Sequence, residues 1–221
     1  MTERFKCVPL TSDNNHVSMI RDFVIDREAG VADIPDKIIG LESYLKRAAW
    51  QDDIDEQVKI YLIKDTKLNE IAAYFGLKAG MVVDNEEGEP SAEEKEKALR
   101  EFNAKLVSSV LPGIEISHFA INDNYRRHIS KPGQEIRGLG QYFYPAFIYP
   151  IIEEAASKIG VKMVYLFAAN DEEDEEEKLI KYYERVFGFR LSGVDDFYMP
   201  LQPGYDGGCK FMYRMRYSSE G

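Results

Sequence analysis

The segment EIRGLGQYF, residues 135–143, sets Gly138 and Gly140 where a helical pattern begins. Glycine forfeits about 1 kcal/mol of helix propensity at each such position, so glycines here serve another end. A backbone without Cβ atoms admits a bulky anion, and the first N–H groups of a helix have no intrahelical partner. That is phosphate-binding chemistry, with a tight turn as the alternative use of the two glycines. A P-loop is excluded, because no Lys-Ser/Thr pair follows the glycines. A dinucleotide fingerprint asks for a third glycine where Phe143 stands. The chain holds 3 His and 2 Cys, none at ligand spacing, so no metal site is expected. Cys7 and Cys209 lie on separate apolar segments and read as structural thiols of a reducing compartment.

Positioning a glycine turn requires a strand before it and a helix after it. GIEISHFAI (113–121) reads as the strand, and GLGQYFYPAFIYPIIEEAASKIG as the helix, kinked by Pro145 and Pro150. VKMVYLFA (161–168) is nearly all apolar, as a central strand covered on both faces would be. KLIKYYERVFGF reads as a helix with Leu179, Tyr183 and Val186 on one stripe, and GCKFMYRMR as a last strand. Upstream, Phe5–Leu10 suits a first strand. Val17, Ile20 and Val24, then Ile38, Leu41 and Leu45, recur at helical spacing. Val58, Ile60 and Leu62, then Ile71, Ala73, Phe75 and Leu77, alternate around KDTK as an antiparallel hairpin. Ser91 and Glu94 form a capping box for a helix carrying Leu99, Phe102, Leu106 and Val110 and stopping before Pro112. Acidic insertions fall near 83–97 and 171–177, and a loop insertion near 127–136; the reading is one domain over 1–221.

The 221 residues, 44% hydrophobic and 30% charged, suffice for a sizeable core. A net charge of −11 argues against nucleic acid as a partner, since phosphate contacts need clustered Lys and Arg. No apolar run reaches membrane-spanning length, and MTERFKCVPLT lacks the apolar stretch of a signal peptide. A cytoplasmic protein, monomer or homodimer, without membrane contact is expected.

Strand, glycine turn, helix, strand, helix, then Gly-Phe: residues 113–189 resemble the core of the GNAT superfamily, the acetyl-CoA-dependent N-acyltransferases. Three pieces carry the resemblance in order: a strand ending HFAI, the turn RGLG, and YYERVFGF. The preceding β-α-α-β-β order extends it over nearly the whole chain. It implies an α/β (α+β) fold with a mixed central sheet of about seven strands, flanked by helices and splayed around the cofactor. It also implies acetyl-CoA as co-substrate and a primary amine, on a small molecule or peptide, as acceptor.

By the same resemblance Ile136, Arg137, Gly138, Leu139, Gly140 and Gln141 form the pyrophosphate cradle. Phe119, Ala120 and Ile121 pair through their backbone with the pantetheine arm. Asn170 corresponds to an asparagine often found after the central strand. Glu135 stands where the family usually has Gln or Arg; with HISKPGQEI taken as an insertion, Arg126 of NYRR is the alternative basic residue. Tyr183 corresponds to the acid that protonates the departing thiolate, with YERVFGF one residue longer than the usual spacing. An ordinary tyrosine, pKa about 10, is protonated at pH 7 and can serve. EISHFAI resembles the strand of the histone-acetylating branch, which makes Glu115 the base candidate; a solvent-facing structural carboxylate is its alternative. Strand parity puts Glu115, Ser117, Phe119 and Ile121 on one face and His118, read as a packed histidine, on the other. Two further functions remain open: a non-catalytic acyl-CoA-binding module, and a toxin-type enzyme acetylating aminoacyl-tRNA, whose RNA contact would rest on Arg126, Arg127, Lys131 and Arg137.

Overall fold

The computed structural model describes residues 4–26, 40–84, 110–130, 138–169, 178–192, 197–198 and 209–216. Its strands are β1 (Phe5–Pro9), β2 (Lys59–Asp65), β3 (Glu70–Asp84), β4 (Val110–Ile121), β5 (Met163–Ala169), β6 (Arg190–Leu191), β7 (Phe197–Tyr198) and β8 (Cys209–Met215). They form one mixed sheet in the order β1-β2-β3-β4-β5-β8-β6, with β7 pairing the far end of β3. Every pairing is antiparallel except that of β4 with β5. This is the mixed α/β architecture expected from the sequence.

Helices cover both faces. Helices α1 (Leu41–Arg47) and α2 (Ala49–Ile54) meet at Ala48, which leaves helical geometry at φ −121°. Leu45 and Ala49 pack with Ile60, Leu62 and Tyr74 on one sheet face. Helix α3 (Asp123–Ile129) follows β4 directly. Helix α4 spans 139–158 and α5 spans 178–187, and both lie on the opposite face over Phe75, Ile114, Ile116, Val164 and Leu166. Each contains one π-helical turn, Tyr144–Ile148 and Tyr183–Phe187. In α4 the wider turn begins at Tyr144, one residue before Pro145, so the proline that deletes a backbone bond sits within the bulge.

Three local expectations are corrected. Val110 does not end a helix: it opens β4, which passes through Pro112, and the Pro112 carbonyl accepts from the Lys162 N–H at 2.8 Å. Residues 91–109 of that expected helix lie outside the described residues. The first helical region is short turns, Leu10–Ser12, His16–Met19 and Ile20–Asp22, that bury His16, Ile20 and Phe23, while Val17 is exposed. Arg127, His128 and Ile129, assigned to a loop insertion, belong to α3; residues 131–136 of that insertion lie outside the described residues.

A buried carboxylate ties α3 to the hairpin. Asp65 accepts from Arg4 Nε at 2.7 Å, the Tyr125 hydroxyl at 2.8 Å, and the backbone N–H groups of Lys67 and Leu68. Burial alone would raise its pKa, but these donors together hold it below the ordinary aspartate range. Asp65→Ala strands these donors and should cost on the order of 3 kcal/mol in urea unfolding. Because the folded pKa is depressed, the carboxylate's contribution is complete above the unfolded pKa and is lost as pH falls through the folded value. The acid limb of the stability curve should therefore flatten in Asp65→Ala; an unchanged limb would remove Asp65 from this role.

Candidate active site

The parallel ladder between β4 and β5 is short. Gly113, Ile114 and Glu115 pair with Met163, Val164 and Tyr165. Beyond them β4 continues to Ile121 and β5 to Ala169 with no further pairing between the two. The strands splay, and a gap opens between residues 116–121 and 166–169. β4 remains paired with β3 throughout that stretch, so among the described residues it presents one bonded and one unbonded edge. Phe119, Ala120 and Ile121 lie on the unbonded edge, where an extended ligand could add as a strand.

A β-bulge marks the start of the gap. Opposite β3, Leu77 pairs with Ile116 and Gly76 with His118, and Ser117 is left over. A methyl group at Gly76 would come within 2.8 Å of Ser117 Oγ, so glycine makes room for the bulge. The extra residue reverses the alternation, and the expected parity is corrected. Ile114 and Ile116, then Phe119 and Ile121, face α4. Glu115 lies on the other face, and His118 and Ala120 share that face past the bulge.

On that face Glu115 is 2% exposed, 3.2 Å from Lys78 Nζ. The Tyr165 hydroxyl also donates to it; burial first, then the Glu115 charge, pushes that phenol up. Tyr165 lies across Gly80 and Gly113, where side chains would collide with its ring. Glu115 is thus a buried, ion-paired carboxylate at the apex of the splay, not a solvent-facing one. His118 stacks on Tyr44 of α1 at 3.7 Å and 6°, its Nδ1 2.9 Å from Ser117 Oγ. Burial, aided by the Lys78 charge, lowers its pKa to about 3. It is neutral and a weak base at pH 7, a packed histidine as the sequence suggested.

At the other end of the gap stands the start of α4. Gly138 adopts φ +82° and caps the helix, with the Tyr142 N–H bonded back to its carbonyl. That left-handed conformation is glycine's own. Gly138 is exposed, and a side chain there would meet nothing within 4 Å. Gly140 is tighter: a methyl group would come 3.0 Å from the Tyr182 hydroxyl and 3.7 Å from the Phe119 ring. Gly140 at the helix start thus lies between Phe119 of the open edge and the hydroxyl of Tyr182. Of the remaining predicted cradle and pocket residues, Ile136, Arg137 and Asn170 lie outside the described residues.

Tyr183 belongs to a buried stripe, but not the expected one. Leu179 is 38% exposed, while Ile180 and Phe187 are buried. Tyr183 lies three residues after Ile180 and packs against Phe187 and Phe189, with ring centroids at 5.6 and 6.1 Å. Desolvation, then the neighbouring phenols Tyr182 and Tyr144, raises its pKa. The extra residue in YERVFGF is housed in the π-turn that begins at Tyr183. No group of His, Cys, Asp and Glu that could hold a metal occurs among the described residues, and no described helix is long and apolar enough to cross a membrane.

No family model and no curated protein matches the sequence. Solved structures do match. A tyrosine-to-phenylalanine mutant of KacT superposes with a TM-score of 0.55 at 14% identity, covering 96% of this chain and 95% of that one. AtaTR bound with acetyl-CoA gives 0.52 at 12%, covering 96% and 94%. AtaT complexed with acetyl-methionyl-tRNAfMet gives 0.53 at 15%, covering 88% and 94%. Strand order, splay and these likenesses together give the chain the GNAT fold.

Proposed function

We propose that the protein transfers an acetyl group from acetyl-CoA to a primary amine. The observation that carries this reading is the splay of β4 from β5 after Glu115 and Tyr165, running past Phe119 to a glycine-capped helix start. An extended thioester arm fits the gap, and a diphosphate fits the helix N-terminus, where backbone N–H groups and the helix dipole favour negative charge. The AtaTR neighbour bound with acetyl-CoA supports the same co-substrate.

In the proposed reaction the amine gives up a proton to Glu115, directly or through a water. Its nitrogen then attacks the thioester carbonyl. Backbone N–H groups at the β4 bulge stabilise the oxyanion. As the C–S bond breaks, the thiolate takes a proton from Tyr183, which burial keeps protonated at neutral pH, and the phenolate regains a proton from the nitrogen of the new amide. Leu139, Gly140 and Gln141 with Gly138 hold the phosphates, and the family resemblance adds Ile136 and Arg137 to them and gives Asn170 a cofactor contact. The acceptor is a free small amine or a peptide.

A second reading, an amine carried on tRNA, draws on the AtaT neighbour complexed with acetyl-methionyl-tRNAfMet, so net charge alone is no ground for dismissing RNA. Of the four basic residues that would serve it, Arg127 already forms an ion pair with Asp26. That observation favours the free-amine reading.

The test is thiol release from acetyl-CoA against polyamines, aminoglycosides, amino acids, peptides and aminoacyl-tRNA. Turnover with one class is the expected result. Acetyl-CoA binding without release from any acceptor would instead identify a non-catalytic acyl-CoA-binding module, and absence of binding would overturn both. Glu115→Gln should lower kcat/KM on the order of 10²-fold at pH 7. The deficit should shrink as pH rises, because a deprotonated amine needs no base. A deficit constant with pH would assign Glu115 a structural role with Lys78.

A further inference from the structure

On the sheet face turned away from α4, a primary amine of the chain itself stands at the proposed base. Lys78 of β3 and Glu115 of β4 are direct cross-strand partners. Lys78 Nζ lies 3.2 Å from a Glu115 carboxylate oxygen, within hydrogen-bond reach. Glu115 is also the last β4 residue paired with β5, opposite Tyr165, so the ammonium sits where the strands part. The bulge residue Ser117 follows two positions further along β4. The Glu115 side chain is 2% exposed and that of Lys78 32%, so the buried carboxylate is met by an amine that keeps partial access to solvent. A cross-strand ion pair contributes about 1 kcal/mol at most and can be placed almost anywhere on a sheet. This one joins a primary amine to the group that would deprotonate primary amines.

We propose that Lys78 is a self-modification site, whose Nζ takes the acetyl group of acetyl-CoA bound in the same chain. The inference rests on the acetyl-CoA reading above and adds an acceptor built into the fold. The Lys78 ammonium gives one proton to Glu115, which releases it to water. The neutral nitrogen then bonds to the thioester carbonyl carbon, and the C–S bond breaks with its electron pair on sulfur. A second proton leaves the nitrogen and balances the one that the thiolate takes up. The products are Nζ-acetyl-lysine, free CoA and one proton. Because the amine is held opposite the base, the step needs no encounter in solution, unlike transfer to a free acceptor. The amide is neutral, so acetylation also ends the ion pair with Glu115.

The experiment incubates the chain with acetyl-CoA and no added acceptor, and follows labelling by intact mass and by peptide mass spectrometry at each lysine. Lys158 is the internal reference for purely chemical acetylation. It too is paired with a glutamate, Glu154, but on the exposed end of α4. Lys78 should gain one acetyl group on the order of 10²-fold faster than Lys158. Its rate constant should not depend on protein concentration. Glu115→Gln should slow labelling of Lys78 and leave that of Lys158 unchanged. Lys78→Arg, which keeps a positive charge opposite Glu115, should remove the fast phase. Lys78 labelled no faster than Lys158, or left unlabelled while free amines are acetylated, would overturn this inference alone. A rate constant that rises with protein concentration would also overturn it, by showing transfer between chains. A wild type that binds no acetyl-CoA would overturn the underlying reading as well.

Discussion

Gly138→Asp should weaken acetyl-CoA binding on the order of 10²-fold, while Gly138→Asn should weaken it only a few-fold. Both variants must occupy φ +82°. Asn and Asp are the side chains that tolerate this region best, and they suffer about the same backbone penalty. Neither meets a steric obstacle, since nothing lies within 4 Å of a Cβ at this position. What differs is charge. A carboxylate about 5 Å from a phosphate, at an effective dielectric of about 20, costs about 3 kcal/mol, which is about 10²-fold in affinity. Calorimetry on both variants checks this, with thermal melting to confirm equal folds. Equal affinities would mean that Gly138 serves only the turn and that no phosphate rests beside it.

The sequence made the frame of the fold legible because each element there obeys a simple period. The hairpin 58–77, the apolar strand after α4 and the glycine turn ahead of it carry patterns that few other folds satisfy. What escaped depends on single residues that change a period. Ser117 is one: a lone bulge residue exchanges the two faces of β4, so Glu115 and His118 share a side that strict alternation denies them. The π-turn from Tyr183 to Phe187 is another. One added residue rotates the first turns of α5 against its last, so Ile180 rather than Leu179 faces the core. Val110 and Pro112 mislead for a different reason. Proline announces a helix end in the sequence, yet here its carbonyl serves a strand whose pairing is set by distant residues. The pairing of Glu115 with Lys78 and Tyr165 was likewise beyond the sequence, because register between three strands is a tertiary property.

Tyr183→Phe should lower kcat by roughly 10²- to 10⁴-fold, the usual worth of one positioned proton donor, and leave acetyl-CoA affinity nearly unchanged. Only a hydroxyl is removed; the ring keeps its packing on Phe187 and Phe189. Tyr182→Phe should show the opposite division, a modest loss of affinity with kcat close to wild type, because its hydroxyl lies against Gly140 at the phosphate end. The two phenols differ in surroundings as well as position. Burial raises both, but Arg126 counters the rise at Tyr182, while the neighbouring phenols Tyr182 and Tyr144 add to it at Tyr183. A group whose pKa is raised stays protonated as pH climbs, so an acid at Tyr183 predicts no alkaline fall in kcat through about pH 9. Pre-steady-state measurement of thiol release separates the chemical step from product release and checks the kcat effect directly. If Tyr182→Phe proves the crippled enzyme and Tyr183→Phe does not, the π-turn has moved the acid by one residue. The hydroxyl beside Gly140 would then be the proton donor.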